Sequence, residues 1–214
     1  MDGKRLDRSQ EITMSKISFV YFDIGGVFLN WENYFGTAAK TFGIDLAILR
    51  TYFEKYSDEI ILGHITPDQL WQTIRQELSL EGGESFDFLA SWVSDFVAIT
   101  EMSDFAKVVA QSYQVGIISD IYKGMFPLLI EKNIVPNLDY NSLVLSCDVH
   151  LRKPNREIYE YAQKISGVNP EEILFIDDSS SSISMASSLG WTTHQFETKN
   201  PTQSIKTLKH ILNL

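Results

Sequence analysis

The stretch KISFVYFDIGGVFLN, from Lys16 to Asn30, decides the fold. Its first half, Ile17 to Phe22, is apolar, β-branched and aromatic, which is typical of a strand buried on both faces of a sheet. Asp23 follows directly, and Gly25 and Gly26 let the backbone take a positive φ or approach a ligand closely. Open α/β sheets bind ligands at such carboxyl ends of strands. A strand that ends in an Asp-Gly type of turn is also common without a ligand, so this stretch alone leaves the function open.

Three later stretches place polar groups in similar positions. The run VGIISD ends its apolar part at Ser119. The string LRKPNREIYE puts Lys153 in a loop before a helix, and ILFIDD ends a third buried strand with Asp177 and Asp178. Strands that alternate with helices imply a parallel sheet with right-handed crossovers. We therefore expect these side chains to surround one cavity, together with Asp23, at the carboxyl edge of the sheet.

The four motifs, in the order D-x-x-G-[TV], strand-Ser, Lys-Pro and strand-Asp-Asp, resemble those of the haloacid-dehalogenase-like hydrolase superfamily. They are most similar to those of its phosphatases with a small helical cap. The resemblance covers the chain from about Ile17 to Phe196, and its specificity comes from the order of the motifs. It implies a Rossmann-like three-layer α/β core with a parallel sheet, formed by residues 16–30 and 98–214. Residues 31–97 would be a helical-bundle cap over the active site.

The sequence between the first and second motifs has helical periodicity. Apolar residues recur at the spacing of one helix face, and they predict four amphipathic helices. The first covers Trp31 to Phe42, and Asp45 can cap the second. Thr66, followed by a proline, starts the third, and Ser85 starts the fourth. Four helices with no strand between them form a small bundle. Their aromatic faces could also line a ligand site, but a bundle core is the preferred interpretation.

The resemblance also implies the catalytic residues. Asp23 would be the nucleophile and would form an aspartyl-phosphate. Ser119 offers a hydroxyl and Lys153 a charge to the phosphoryl oxygens, whose negative charge must be offset in the transition state. Gly26 and Asp120 complete the predicted substrate-binding set with Ser119 and Lys153.

A magnesium site is the second implication. Its predicted ligands are Asp23, the carbonyl of Gly25, Asp177 and Asp178, because Mg²⁺ prefers hard oxygen ligands. Adjacent carboxylates at a buried strand end repel each other unless a cation is present. The sequence leaves open whether Asp177 or Asp178 binds the metal directly.

One departure from the family pattern concerns Gly25. Phosphatases of this family usually carry a second Asp there, which acts as general acid and base, and losing such a group typically costs ~10²–10⁴ in rate. Asp120 stands where the family commonly has Asn, and serines such as Ser179 follow the paired carboxylates. Three functions stay open. The preferred one is a Mg²⁺-dependent phosphomonoester hydrolase that acts on a small phosphorylated metabolite and that the absence of the second Asp at Gly25 could slow.

The second function is a catalytically impaired relative that binds a ligand or a protein partner. The third is a haloacid dehalogenase, which also uses an Asp nucleophile and lacks the second Asp. Dehalogenation needs no metal, and the Asp177-Asp178 pair would then add surplus negative charge beside the nucleophile.

Composition limits the partners. The net charge of −10 argues against nucleic acid or an anionic membrane as a partner. Cys147 is the single cysteine, which excludes an internal disulfide and predicts a reducing, cytoplasmic location. No stretch has the ~20 consecutive apolar residues of a membrane span. Residues 1–15 are expected to be a flexible tail, and either a monomer or a homodimer is compatible with the sequence.

Overall fold

The computed structural model describes residues 17–214, so the flexible tail predicted for residues 1–15 lies outside the described residues. Seven strands lie in this range: β1 Phe19–Phe22, β2 Leu29–Asn30, β3 Val97–Ala98, β4 Gln114–Ser119, β5 Ser142–Leu145, β6 Ile173–Asp177 and β7 Thr192–Gln195. Five of them form a parallel sheet with the spatial order β5-β4-β1-β6-β7. The predicted Rossmann-like α/β core is therefore confirmed.

Strand β1 lies at the centre of this sheet, and all four of its residues are buried. Val20 and Phe22 belong to one apolar cluster, whereas Phe19 and Tyr21 belong to a second. Side chains alternate between the two faces of a strand, so these clusters cover opposite faces of the sheet. The core therefore has three layers, with the sheet in the middle.

Five helices occupy residues 31–97, where the sequence predicts four: α1 Gly36–Phe42, α2 Leu46–Lys55, α3 Ser57–Ile61, α4 Pro67–Glu77 and α5 Phe88–Ser94. Two predicted caps are confirmed. The side chain of Asp45 accepts a hydrogen bond from the Ala47 amide at the start of α2. Thr66 and Gln69 form a reciprocal capping box at the start of α4.

Two predicted helix starts are wrong. Helix α1 begins at Gly36 rather than Trp31, because Phe35 has a φ of 69°, which is outside the right-handed helical region. Helix α5 begins at Phe88 rather than Ser85, because the Asp87 side chain caps it by accepting from the Ala90 amide. Trp31 therefore lies ahead of the first helix and not on its apolar face.

Six further helices accompany the sheet: α6 Thr100–Val109, α7 Met125–Glu131, α8 Ser146–Val149, α9 Arg156–Ser166, α10 Ser180–Ser188 and α11 Pro201–Leu212. The short strands β2 and β3 pair antiparallel, with Leu29 opposite Ala98, where the chain enters and leaves the inserted helices. The division into a core of 16–30 and 98–214 and a cap of 31–97 stays a prediction. None of the helices between residues 17 and 214 has the length and apolar character needed to cross a bilayer.

Tyr21 ties the sheet to helix α9. Its buried hydroxyl donates to the Ala162 carbonyl at 2.8 Å and is also hydrogen-bonded to Ser142 Oγ at 2.8 Å. Gly116 lies beside it in the register, and a Cβ at that position would stand 2.5 Å from the Tyr21 ring. The glycine inside β4 therefore makes room for this ring.

We expect Tyr21→Phe to lower the free energy of unfolding by about 1–2 kcal/mol, because the Ser142 hydroxyl loses a buried partner. Urea denaturation monitored by circular dichroism measures the change. Tyr161→Phe is the matched control, since Tyr161 lies on helix α9 next to Ala162 and its side chain is partly exposed. Equal stabilities for the two variants would contradict a role for this hydroxyl.

Candidate functional site

Four polar residues meet at the carboxyl edge of the parallel sheet. Asp23 follows β1, Ser119 ends β4 and Asp177 ends β6, while Lys153 comes from the loop between α8 and α9. The Lys153 ammonium lies 2.9 Å from Asp23 Oδ2 and 2.5 Å from Asp177 Oδ2. Because β1 and β6 are neighbours in register, their two terminal carboxylates flank the same lysine.

Burial and charge set the ionisation of this group. Burial raises the pKa of Asp23 to about 7, although Lys153 acts in the opposite direction and Asp177 adds to the rise. Burial alone would lower the pKa of Lys153, but the carboxylates of Asp23 and Asp177 raise it above its ordinary value. Burial and the neighbouring Asp177 also raise the pKa of Asp178. The site therefore holds more carboxylates than its lysine can neutralise.

The hydrogen bonds separate the roles of the carboxylates. Asp177 is fully engaged, since Oδ2 pairs with Lys153 and Oδ1 accepts from the Ser179 amide at 2.7 Å. Asp23 Oδ1 is buried without a hydrogen-bond partner in the described part of the chain. Oxygens of Asp23, Asp177 and Asp178 all lie within 4.8 Å of one another. An unpaired buried oxygen in a cluster with excess negative charge suits a divalent cation.

The two glycines that follow Asp23 and Ile24 have different uses. Gly25 lines the cavity above Asp23, and no backbone amide between residues 17 and 214 is bonded to its carbonyl, so that oxygen is free to bind a cation. Gly26 has a φ of 71°, and a Cβ there would stand 2.1 Å from Asp178 Oδ2.

The substrate-binding role that the sequence predicts for Gly26 stays a prediction. The Gly26 amide donates to Leu29, and its carbonyl accepts from the Thr198 hydroxyl at 2.6 Å. Both backbone groups of Gly26 therefore serve the loop, and the absence of a side chain makes room for Asp178.

Asp120 holds the lysine loop. Its Oδ1 accepts from the Lys153 amide at 3.0 Å, and Arg152 lies 3.9 Å from its other oxygen. Arg152 also pairs with Asp58 of helix α3, so this ion-pair chain joins the inserted helices to the core. The sequence pattern does not reveal Arg152 or Asp58, because a charged residue in a loop or on the exposed side of a helix carries no periodic apolar signal.

A cavity of about 260 Å³ opens above Asp23. Ser119, Asp120 and Asp178 contribute to its floor, and aromatic side chains line much of the rest. Trp31 is among them. His64 and His150 do not line the cavity; they stack on each other with ring centroids 5.7 Å apart.

A family model described as haloacid dehalogenase-like hydrolase matches residues 22–190. The chain belongs to the haloacid dehalogenase-like hydrolases. This membership confirms the family resemblance and the expectation that the protein is an enzyme of the hydrolase class.

Two known proteins show the range of relatives. D-ribitol-5-phosphate phosphatase from Bacteroides thetaiotaomicron is 28% identical over 197 residues, which make up 85% of this chain and 92% of that protein. Drimenol cyclase drtB from Aspergillus calidoustus is 25% identical over 187 residues, or 85% of this chain, but this similarity spans only 34% of the cyclase.

Solved structures share the fold. The HAD family enzyme bt-2542 from Bacteroides thetaiotaomicron superposes with a TM-score of 0.73 at 23% identity, over 86% of this chain and 95% of that one. The complex of bt-2542 with magnesium and inorganic phosphate superposes with a TM-score of 0.67 at 22% identity, over 85% and 95% of the two chains. These structural similarities show that this chain has the same fold as bt-2542.

We expect Gly26→Ala to destabilise the protein by about 1–3 kcal/mol more than Gly167→Ala, because a methyl group would collide with the Asp178 carboxylate. The two glycines have φ values of 71° and 72°, but no atom lies within 4 Å of a Cβ built on Gly167. The control therefore carries the same backbone strain without the collision. Thermal unfolding of both variants measures the difference, and similar losses would show that backbone strain alone explains the glycine.

Proposed function

We propose that this hydrolase is a Mg²⁺-dependent phosphomonoester hydrolase that works through an aspartyl-phosphate on Asp23. The observation that carries the proposal is the environment of the Asp23 carboxylate: one oxygen is held by Lys153, and the other is buried without a partner beside two more carboxylates. The phosphatase among the relatives and the magnesium and phosphate in the bt-2542 complex support the same chemistry.

The chain's own residues supply most of the first step. An oxygen of Asp23 bonds to phosphorus while the ester P–O bond breaks, and the leaving oxygen departs with the electron pair. Lys153 offsets the charge on the phosphoryl oxygens, and the Ser119 hydroxyl donates a hydrogen bond to them. Water then cleaves the aspartyl-phosphate to inorganic phosphate and the free carboxylate. Mg²⁺, when bound, would add positive charge at the phosphoryl oxygens.

Asp23, the carbonyl of Gly25 and Asp178 would hold the metal. Asp177 is the weaker candidate as a direct ligand, because Lys153 and the Ser179 amide already occupy its two oxygens. We assign Asp177 the task of fixing the position and the charge of Lys153. The segment 31–97 would act as the cap that carries substrate specificity. The cytoplasmic location and the monomeric or homodimeric state stay predictions.

A dehalogenase is the less favoured function, because three carboxylates around one lysine leave negative charge that a metal-free reaction would not use. A binding protein without activity is the main alternative, since Gly25 replaces the usual acid. An activity assay separates the two.

The test is release of 4-nitrophenol from 4-nitrophenyl phosphate. We expect turnover with millimolar Mg²⁺, none with a chelator and none in Asp23→Asn. Asp104→Asn is the control, because Asp104 is an exposed carboxylate that pairs with Lys107 on the surface. Mg²⁺ should also raise the melting temperature of the parent but not of Asp178→Asn, because an ion that binds only the folded form stabilises it. Turnover that survives Asp23→Asn would contradict the covalent mechanism. A Mg²⁺ shift without any turnover would favour the binding protein.

Replacing Gly25 tests whether the missing general acid limits turnover. Its φ lies outside the left-handed region, and a Cβ there would lie 4.0 Å from the Trp31 indole, so the loop has room for a side chain. Gly25→Asp should raise turnover of an alkyl phosphate by up to about 10²-fold, since an alkoxide needs a proton to leave. An aryl phosphate, which expels a stable phenolate, should gain much less.

Gly25→Asn is the matched control, because it has nearly the same volume and no acidic proton. Steady-state kinetics on both esters, for both variants, measure the effect. Equal gains for Asp and Asn, or an equal gain for both esters, would contradict a general-acid role at this position.

A further inference from the structure

The cavity above Asp23 has an aromatic wall, which we define by six side chains from the inserted segment 31–97 and the loop after β4: Trp31, Tyr34, Phe53, Trp92, Phe96 and Tyr122. All of these rings except Phe96 form a continuous series. Trp31 and Tyr34 have centroids 5.7 Å apart, and Phe53 lies 5.7 Å from Tyr34 and 5.5 Å from Trp92. Trp92 stacks on Tyr122 at 4.4 Å, which brings the series to the strand-end loop of the core.

The wall leaves part of its bonding capacity unused. Trp92 is buried, yet its indole Nε1 has no hydrogen-bond partner in the described chain. Trp31 is 52% exposed, although large aromatic side chains are usually covered in a folded domain. The Trp92 Nε1 atom is closed off from solvent, so the exposed Trp31 indole, which lines the cavity beside Asp23, is the part of the wall that a ligand would cover.

The chemistry of the wall selects the kind of ligand. A buried polyol needs a hydrogen-bond partner for each hydroxyl, and each one left unpaired is costly. Apart from the motif residues, the aromatic wall has as possible hydrogen-bond partners the hydroxyls of Tyr34 and Tyr122 and the indole N–H of Trp31, because the Trp92 Nε1 atom is inaccessible. A flat ring, in contrast, gains from stacked and edge contacts with such side chains. A volume of about 260 Å³ has room for a phosphoryl group and a single ring.

We propose that the substrates are phosphate esters of small monocyclic aromatic compounds, with the ring held by the aromatic wall and the phosphoryl group at Asp23. This inference rests on the proposed function, since it places the phosphoryl group at Asp23. The reaction consumes water and gives inorganic phosphate and the free aromatic alcohol or phenol. The relative that is named D-ribitol-5-phosphate phosphatase is named for a polyol ester. The substrate proposed here carries an aromatic ring in place of the polyol, at the end that the inserted segment recognises.

The kinetic test compares benzyl phosphate with D-ribitol 5-phosphate in the presence of Mg²⁺. Both expel an alkoxide, so the ratio of their kcat/KM values reports on the ring and not on leaving-group chemistry. We expect benzyl phosphate to be favoured by about tenfold or more, the scale of one aromatic contact. Faster turnover of the ribitol ester would overturn the inference and leave the phosphatase function intact. If no phosphate is released from these esters or from 4-nitrophenyl phosphate, the proposed function fails.

A binding measurement tests the wall even without turnover. Benzylphosphonate and methylphosphonate share a head group that cannot be hydrolysed, and isothermal titration calorimetry with Mg²⁺ gives both dissociation constants. We expect benzylphosphonate to bind about tenfold more tightly. Trp31→Ala should remove most of this difference, and Tyr161→Ala, which replaces a partly exposed ring outside the cavity, should keep it. Equal affinities for the two phosphonates would overturn the inference.

Discussion

A buried lysine between two buried carboxylates is the interaction on which this site depends. Burial on its own would drive the Lys153 ammonium towards its neutral form, but Asp23 and Asp177 keep it charged. The sheet makes this possible, because neighbouring parallel strands end side by side and present their terminal carboxylates to the same point. Removing one partner of such a buried group leaves an uncompensated charge, which typically costs about 3–5 kcal/mol. The fold and the chemistry therefore share one set of contacts.

The charge balance of the site also has a consequence for ligands. Burial raises the pKa of Asp23 to about 7, and the neighbouring Asp177 adds to the rise, while Lys153 acts in the opposite direction. One lysine cannot neutralise Asp23, Asp177 and Asp178 together. A carboxylate that is partly protonated near neutral pH is a poor nucleophile. A divalent cation beside Asp23 and Asp178 would favour the ionised form and draw in a phosphate group. In the proposed reaction, Asp23 is therefore best prepared for attack on phosphorus when the cation is bound.

The sequence predicts the sheet and its polar edge well, because a run such as Ile17 to Phe22 can be satisfied only by burial on both faces, and the residue that follows must then lie at the strand end. It predicts the inserted helices less well. The positive φ of Phe35 shortens the first helix, and nothing in helical periodicity signals this change. Periodicity identifies an apolar helix face without saying whether that face meets another helix or a cavity. For this reason periodicity predicts that Phe53 and Trp92 belong to a bundle core, whereas they also line the cavity above Asp23.

The missing acid and the aromatic wall are two parts of one arrangement. A side chain on Gly25 would face the Trp31 indole, so the position that carries the acid in related phosphatases here adjoins the ring-lined space. A substrate whose phosphate is attached directly to an aromatic ring satisfies both features. Its phenolate leaves without a donated proton. Its ring stacks against the aromatic wall, which adjoins Gly25. A polyol phosphate satisfies neither, because its alkoxide requires the acid and its hydroxyls require polar partners. In the proposed reaction, loss of the acid therefore favours the same substrates as the aromatic wall.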